Sequence, residues 1–155
     1  MTLFCDMDGV LADFDKGYFE TFGIVVDREK DNVDWNLVRN QKDFFLNLPP
    51  MPDFRELWDF IEKYEPIILT GVPSDVPEAV SNKLSWIHKN IGDHVEVRCC
   101  KSRNKYKHAI IGDILIDDWM KYMHKWCNAG GVWITHTSAK NTISMMQILS
   151  IQGIL

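Results

Sequence analysis

A chain that opens Leu3-Phe4-Cys5 and then breaks into Asp6-Met7-Asp8-Gly9 has few ways to fold. A short apolar run ending in turn residues reads as a buried strand. Strand alternation sends Asp6 and Asp8 to the same side while Met7 points away, and Gly9 permits the tight turn that must follow. Two carboxylates therefore converge at the C-terminal end of the strand, which is the edge where open α/β sheets bind ligands. Like charges so close together are costly. Either one acid is protonated or a cation sits between them, and Mg2+ is the hard, oxygen-liganded ion that suits such a pair.

The rest of the chain repeats this design. Pro66-Ile67-Ile68-Leu69-Thr70-Gly71 is a second apolar run ending in a hydroxyl and a glycine, and Val95-Glu96-Val97-Arg98 is a third. Ile114-Leu115-Ile116 is closed by Asp117-Asp118, and Val132-Trp133-Ile134-Thr135 follows Gly130-Gly131. Helical patterns lie between these runs. One starts at Asp53, a candidate N-cap with Glu56 completing a capping-box-like start, and carries Leu57, Trp58, Ile61 and Tyr64. Others cover Asp75 to Asn90, Trp119 to Trp126, and a last segment capped by Ser138. Strands alternating with helices call for a parallel sheet covered on both faces, with right-handed crossovers. The expected fold class is α/β, a Rossmann-like, three-layer, five-stranded parallel sheet. In such a sheet Asp6 and Asp8, Thr70, and Asp117 with Asp118 all end strands on one edge.

Residues 14–48 interrupt the alternation. Phe14, Tyr18, Phe19 and Phe22 recur at helical spacing, and Trp35, Val38, Phe44, Phe45 and Leu48 suggest further helix before Pro49, Pro50 and Pro52 break it. This stretch reads as a small helical insertion after the first strand, with residues 1–13 and 49–155 forming the main body. A length of 155 residues accommodates one core, not two. The formal net charge of -5 argues against a general binder of nucleic acid or anionic membrane, and no apolar run approaches membrane-spanning length. The four cysteines include no Cys-x-x-Cys pair, so neither a disulfide framework nor a zinc knuckle is suggested and a reducing cytoplasm is the simplest home. Arg98, Lys101, Arg103, Lys105 and Lys107 have no acid among them. They either draw an anionic substrate toward the site or form an exposed basic loop.

Taken in order, these motifs resemble the haloacid dehalogenase superfamily of phosphotransferases. Asp6-Met7-Asp8-Gly9-Val10-Leu11-Ala12-Asp13-Phe14 is similar to the first motif of its 5'(3')-deoxyribonucleotidase branch. Gly112-Asp113-Ile114-Leu115-Ile116-Asp117-Asp118 is similar to the fourth motif, and Phe44-Phe45-Leu46-Asn47-Leu48-Pro49 to the stretch leaving the insertion. Where that branch carries Thr-Ser-Pro, this chain has Thr70-Gly71-Val72-Pro73.

The resemblance implies a catalytic core with residues 14–48 as a cap over the active site. It also implies a Mg2+-dependent phosphomonoesterase that works through an aspartyl-phosphate. The expected substrate is a small phosphorylated metabolite, foremost a deoxynucleoside monophosphate, with no stable nucleic-acid complex, no membrane partner and room for an oligomer. Asp6 would be the nucleophile. Mg2+ would be held by the Asp6 carboxylate, the Asp8 main-chain carbonyl and Asp118, with Asp117 behind them and Asp113 as the rival ligand. The need for a cation is physical, because two unit charges about 3.5 Å apart at an effective dielectric near 20 repel by roughly 5 kcal/mol. The Asp8 side chain would act as general acid and then as base. Thr70 and Gly71 would hold phosphoryl oxygens; Lys101, Lys105 and Lys107 are the candidates for the family's lysine, whose place shortly before the Gly-Asp motif matches Lys107. Phe14, Trp35 and Phe44 would wall the substrate pocket from the cap.

Competing readings keep the nucleophile and change the substrate to a sugar phosphate, another small metabolite or a nucleic-acid 3'-phosphate. A receiver-like domain would need a phosphoacceptor Asp at the end of the third strand, where Arg98-Cys99-Cys100 stands instead. A catalytically silent phosphate-binding protein is the remaining alternative.

Overall fold

The structure, a computed structural model, describes residues 1–155. Strands β1 (Leu3–Cys5), β2 (Ile67–Gly71), β3 (Val97–Cys100), β4 (Ile114–Asp117) and β5 (Val132–Thr135) form one sheet in the order β3-β2-β1-β4-β5. Every neighbouring pair is parallel. The opening apolar run takes the centre, with Cys5 beside Ile68 on one side and Ile116 on the other. From β1 the chain builds outward to β3, then returns to the opposite flank for β4 and β5. The connections therefore diverge at the C-terminal ends of β1 and β4, and a crevice opens there.

Side-chain alternation decides the layers. Leu3, Cys5, Ile68, Ile114 and Ile116 point into a cluster of 28 buried residues that also takes the apolar faces of α3 (Phe54–Ile61), α4 (Ala79–Asn90) and α6 (Ala139–Ile151). Phe4, Leu69 and Leu115 point the other way and meet Trp126 of α5 (Met123–Asn128), whose ring stands edge-on to Phe4 at 5.5 Å. The α/β, three-layer, five-stranded parallel architecture expected from the sequence is the one observed. No helix is long and apolar enough to cross a membrane.

Several boundaries move, each for a local reason. β3 starts two residues later than expected and runs through Cys99 and Cys100, which pair with Thr70 and Gly71. The Val95/Val97 alternation is real, but Val95 is buried just before the strand. α4 begins at Ala79 rather than Asp75, since Pro73 and Pro77 hold the preceding segment out of helical geometry. The Trp119–Trp126 stretch divides into a single turn of 3-10 helix at Met120–Tyr122 and the short α5. Asp53 precedes α3 yet its side chain does not cap it; the Asp53 Oδ2 accepts from the Ala139 N–H at 2.6 Å, at the start of α6. A residue that looks like a local cap thus ties the first core helix to the last.

Residues 14–48 contribute α1 (Phe14–Phe22) and α2 (Trp35–Asn40). The two ends of this excursion are stitched together: the Asp13 N–H donates to the Pro49 carbonyl at 2.7 Å and the Met51 N–H to the Leu11 carbonyl at 2.8 Å. Its interior is aromatic. Phe14 lies with ring centroids 5.9 Å from Tyr18, 5.8 Å from Trp35 and 5.6 Å from Phe44. The Tyr18 hydroxyl accepts from the Asp34 N–H at 3.0 Å, joining α1 to the start of α2. Gly17 lets α1 close on Leu48, where an added Cβ would stand 2.5 Å from a leucine methyl. Phe14, Tyr18, Val38, Phe44, Phe45 and Leu48 all belong to the same buried cluster as the sheet, so this segment continues the main core and has no separate one.

Candidate active site

The crevice at the ends of β1, β2 and β4 is the floor of a cavity of about 450 Å³. Asp6 is placed there by its own backbone, since its N–H donates to the Ile116 carbonyl at 2.9 Å and continues the β1–β4 pairing. A tight turn follows, with the Leu11 and Ala12 N–H groups both donating to the Met7 carbonyl at 2.8 and 2.9 Å. Gly9 is required in this turn on two counts: its φ is +78°, and an added Cβ would stand 2.1 Å from Asp118 Oδ2. The turn therefore brings the β1 loop directly against the acid that follows β4.

Asp6, Asp117 and Asp118 offer carboxylate oxygens that all lie within 4.8 Å of one another. Their surroundings resist three negative charges. Burial, then Asp6 and Asp117, push the Asp118 carboxyl up to about 8. Burial and Asp6 push Asp117 up to about 6, against the pull of Lys105. Asp117 has both oxygens engaged, Oδ2 accepting from Lys105 Nζ at 2.7 Å and Oδ1 from the Trp119 N–H at 2.9 Å. Asp6 Oδ1 is buried and, apart from its ion pair with Lys105 Nζ at 2.8 Å, has no hydrogen-bond partner. An acidic trio in which Asp117 and Asp118 have raised proton affinity and Asp6 keeps a buried oxygen without a hydrogen bond fits a divalent cation.

Two buried lysines complete the site, and neither is Lys107, the one favoured from the sequence. Lys105 sits between Asp6 and Asp117; burial alone would weaken its charge, but the two carboxylates outweigh this and raise its pKa. It lies on the 3-10 segment Ser102–His108, as does Lys107. At three residues per turn, positions two apart face in different directions. Lys107 is exposed, without an ion pair, and points away from the cavity, so the lysine expected there is replaced by Lys105.

Lys83 was not expected at all. It comes from α4, is wholly buried, and donates to Asp8 Oδ2 at 2.6 Å, Thr70 Oγ1 at 3.0 Å and the Gly71 carbonyl at 2.5 Å. It also lies 4.6 Å from the centroid of the Phe45 ring. A signal was present in the sequence: Ala79, Lys83, Trp86 and Ile87 share one helical stripe, and a lysine on an apolar stripe needs a buried anion. Asp8 is that anion. Burial and Asp6 raise its pKa while Lys83 lowers it, the net shift is upward, and its Oδ1 is buried with no hydrogen bond.

The remaining expected residues divide. Gly71, Phe14 and Trp35 line the cavity. Thr70 is fully buried beneath them and reaches the site through Lys83. Phe44 is 4% exposed and packs inside the aromatic cluster; its neighbour Phe45 lines the cavity in its place. Successive residues there face opposite ways, which the apolar pattern alone did not distinguish. Asp113 lies at the opposite edge of the sheet, where its oxygens accept from the Thr2 and Ile110 N–H groups at 2.7 and 3.0 Å, and so drops out as a metal ligand.

A family model described as 5' nucleotidase, deoxy (pyrimidine), cytosolic type C protein matches residues 1–152. Among solved structures, a hydrolase from Streptococcus pneumoniae TIGR4 superposes with a TM-score of 0.54, covering 96% of this chain and 97% of that one at 15% sequence identity. That likeness bears on the fold alone. The family match, which spans almost the whole chain, leads to one assignment: the chain belongs to the 5'-nucleotidase, deoxy (pyrimidine), cytosolic type C family, phosphoric monoester hydrolases of the haloacid dehalogenase type.

Proposed function

We propose that this chain is a Mg2+-dependent, cytoplasmic phosphomonoesterase that dephosphorylates deoxynucleoside monophosphates through an aspartyl-phosphate on Asp6. The observation that carries the reading is the meeting of Asp6, Asp117 and Asp118 within 4.8 Å beside a lysine-tethered Asp8. Asp6 and Asp118, with the Asp8 main-chain carbonyl, would hold Mg2+, and Asp117, already bonded on both oxygens, would stand behind them. When bound, the ion offsets the repulsion between carboxylate and phosphate.

The protein's own groups have separable tasks in this reading. Lys105 orients Asp6 and holds Asp117 in place. Asp6 attacks phosphorus, and the bond to the leaving oxygen breaks as that oxygen takes the proton of Asp8. The raised proton affinity of Asp8 supports the acid role, with Lys83 fixing Oδ2 and leaving Oδ1 for the leaving group. In the second step Asp8 takes a proton from water as water attacks the phosphoenzyme, releasing inorganic phosphate and restoring Asp6. Lys83 and the N–H groups near Gly71 supply positive charge toward the phosphoryl oxygens. Residues 1–13 and 49–155 serve as the catalytic core and residues 14–48 as the cap, with Phe14, Trp35 and Phe45 walling a cavity whose size suits a mononucleotide. The partner is a small nucleotide, without a stable nucleic-acid complex.

The test is phosphate release from a panel of deoxynucleoside monophosphates, ribonucleotides, sugar phosphates and 3'-phosphorylated oligonucleotides, with Mg2+ or with chelator. Deoxynucleoside monophosphates should turn over best and only with Mg2+, and Asp6→Asn should lower turnover by about three orders of magnitude or more. Unchanged turnover in Asp6→Asn would remove the nucleophile, and a preference for sugar phosphates would replace the substrate.

A further inference from the structure

Only three cations line the cavity beside Asp6, Asp8 and Asp118: Lys83, Lys121 and Arg28. Lys83 has its three protons committed to Asp8, Thr70 and Gly71. Lys121 lies over the rings of Trp119 and Tyr122, 5.1 and 5.6 Å from their centroids. Arg28 differs from both. It belongs to the loop between α1 and α2, and its recorded partner is Asp15 Oδ1, 2.7 Å from Nη2, with both side chains 47% exposed.

The loop holds Arg28 ready. Asp27 Oδ1 accepts from the Glu29 and Lys30 N–H groups at 3.0 and 3.2 Å, while Asn32 Oδ1 accepts from the Asp27 N–H at 2.7 Å and Asn32 Nδ2 donates to the Val25 carbonyl at 2.8 Å. The backbone on both sides of Arg28 is therefore pinned without using its guanidinium. Burial would weaken that charge, but Asp15 and, across the cavity, Asp118 and Asp8 strengthen it. A guanidinium facing carboxylates over an open cavity, with a half-exposed partner that is cheap to leave, is well placed to take a bidentate oxyanion.

We propose that Arg28 is a substrate-binding residue, which exchanges Asp15 for the non-bridging oxygens of the substrate's phosphoryl group and so closes residues 14–48 onto the phosphate. This rests on the phosphatase reading of Asp6 and not on which nucleoside the substrate carries. The exchange breaks one exposed ion pair and forms a charge-assisted fork. Asp15 is then a competitor for Arg28, and the two residues should have opposite effects when removed.

The experiment is binding of inorganic phosphate in Mg2+, followed by calorimetry, with turnover of a generic aryl phosphate alongside. Arg28→Gln should weaken phosphate binding and raise KM by roughly ten- to a hundredfold, with a smaller loss in kcat. Arg28→Lys, which keeps charge and loses the fork, should fall between it and the parent. Asp15→Asn should strengthen phosphate binding, by up to about fivefold. If Arg28 only braces the cap through Asp15, both variants weaken binding together, and that result overturns the proposal. So does phosphate affinity within twofold of the parent in Arg28→Gln. Failure of the parent to bind phosphate at all removes the phosphatase reading along with it, whereas an active parent with an indifferent Arg28→Gln removes this inference alone.

Discussion

On the sheet side of the cavity the cations are buried and fully paired: Lys83 holds Asp8, and Lys105 joins Asp6 to Asp117. On the side formed by residues 14–48 the charges are half exposed, and the aromatic rings do the holding, with Phe14 and Phe44 at the centre of a cluster continuous with the core. The difference follows from what a misplaced group costs. A buried charge without its partner loses several kcal/mol, so the ends of β1, β2 and β4 are fixed in one arrangement. An exposed ion pair is worth less than about 1 kcal/mol and can be traded for a ligand. Reaction chemistry suits the first environment and substrate capture the second.

The sheet side should therefore break hardest. Lys83→Met leaves the largely covered Asp8 carboxylate without its partner and removes positive charge from the proposed phosphoryl position. A fall in kcat of about a hundredfold or more is expected, together with a lower melting temperature. Lys107→Met, on the exposed face of the 3-10 segment, should stay within about twofold of the parent in both kcat and KM. Steady-state kinetics and thermal melts on the pair would contradict this ordering if Lys107 proved the more damaging.

Residues 14–48 should show the reverse separation, stability from one aromatic residue and substrate affinity from another. Phe44→Ala empties a site that is 4% exposed and surrounded by Phe14, Tyr18, Phe22 and Phe45, for a loss of about 3–5 kcal/mol in denaturant unfolding. Trp35 is 39% exposed on the cavity wall. Trp35→Ala should cost about 1 kcal/mol or less in stability and raise KM severalfold. Equal losses of stability in the two variants would mean that Trp35 belongs to the core.

The same division explains what could be read from the amino-acid order. Asp6, Asp8, Thr70 and Asp117 terminate apolar runs, and an apolar run in an α/β chain can only be a strand of the sheet, so their convergence on one edge was legible. The pairing of each acid with a cation was not. Lys105 and Lys107 are two residues apart on a 3-10 segment, where no hydrophobic period sets the rotation. Lys83 was hidden inside a helix that looks amphipathic, although its place on the apolar stripe was a readable sign. Phe44 and Phe45 could not be told apart, because adjacent aromatics at the end of a short segment take opposite faces only once the surrounding rings are placed. Strand ends follow from local pattern, whereas the partner of a buried charge is a tertiary fact.

The last effect concerns the acids themselves in the absence of metal. Asp118 titrates near 8 in the folded chain, pushed up by burial and by Asp6 and Asp117, against roughly 3.9 for an unfolded aspartate. Asp117, near 6, is shifted in the same sense. Between those limits the folded chain holds more protons than the unfolded one, so stability falls as the pH rises from about 4 to about 8 and levels off beyond. A bound divalent cation does for the site what the protons do at low pH, and it binds only the folded arrangement. Melting in chelator should therefore drop by several degrees between about pH 5 and pH 8.5, and millimolar Mg2+ should restore most of that loss at the higher pH while changing little at the lower. Asp118→Asn, uncharged at every pH, should flatten the chelator profile above about pH 6, leaving the Asp117 part below it, and abolish the Mg2+ response. A Mg2+ stabilisation of the same size at both pH values, or one that survives in Asp118→Asn, would place the ion somewhere other than this trio.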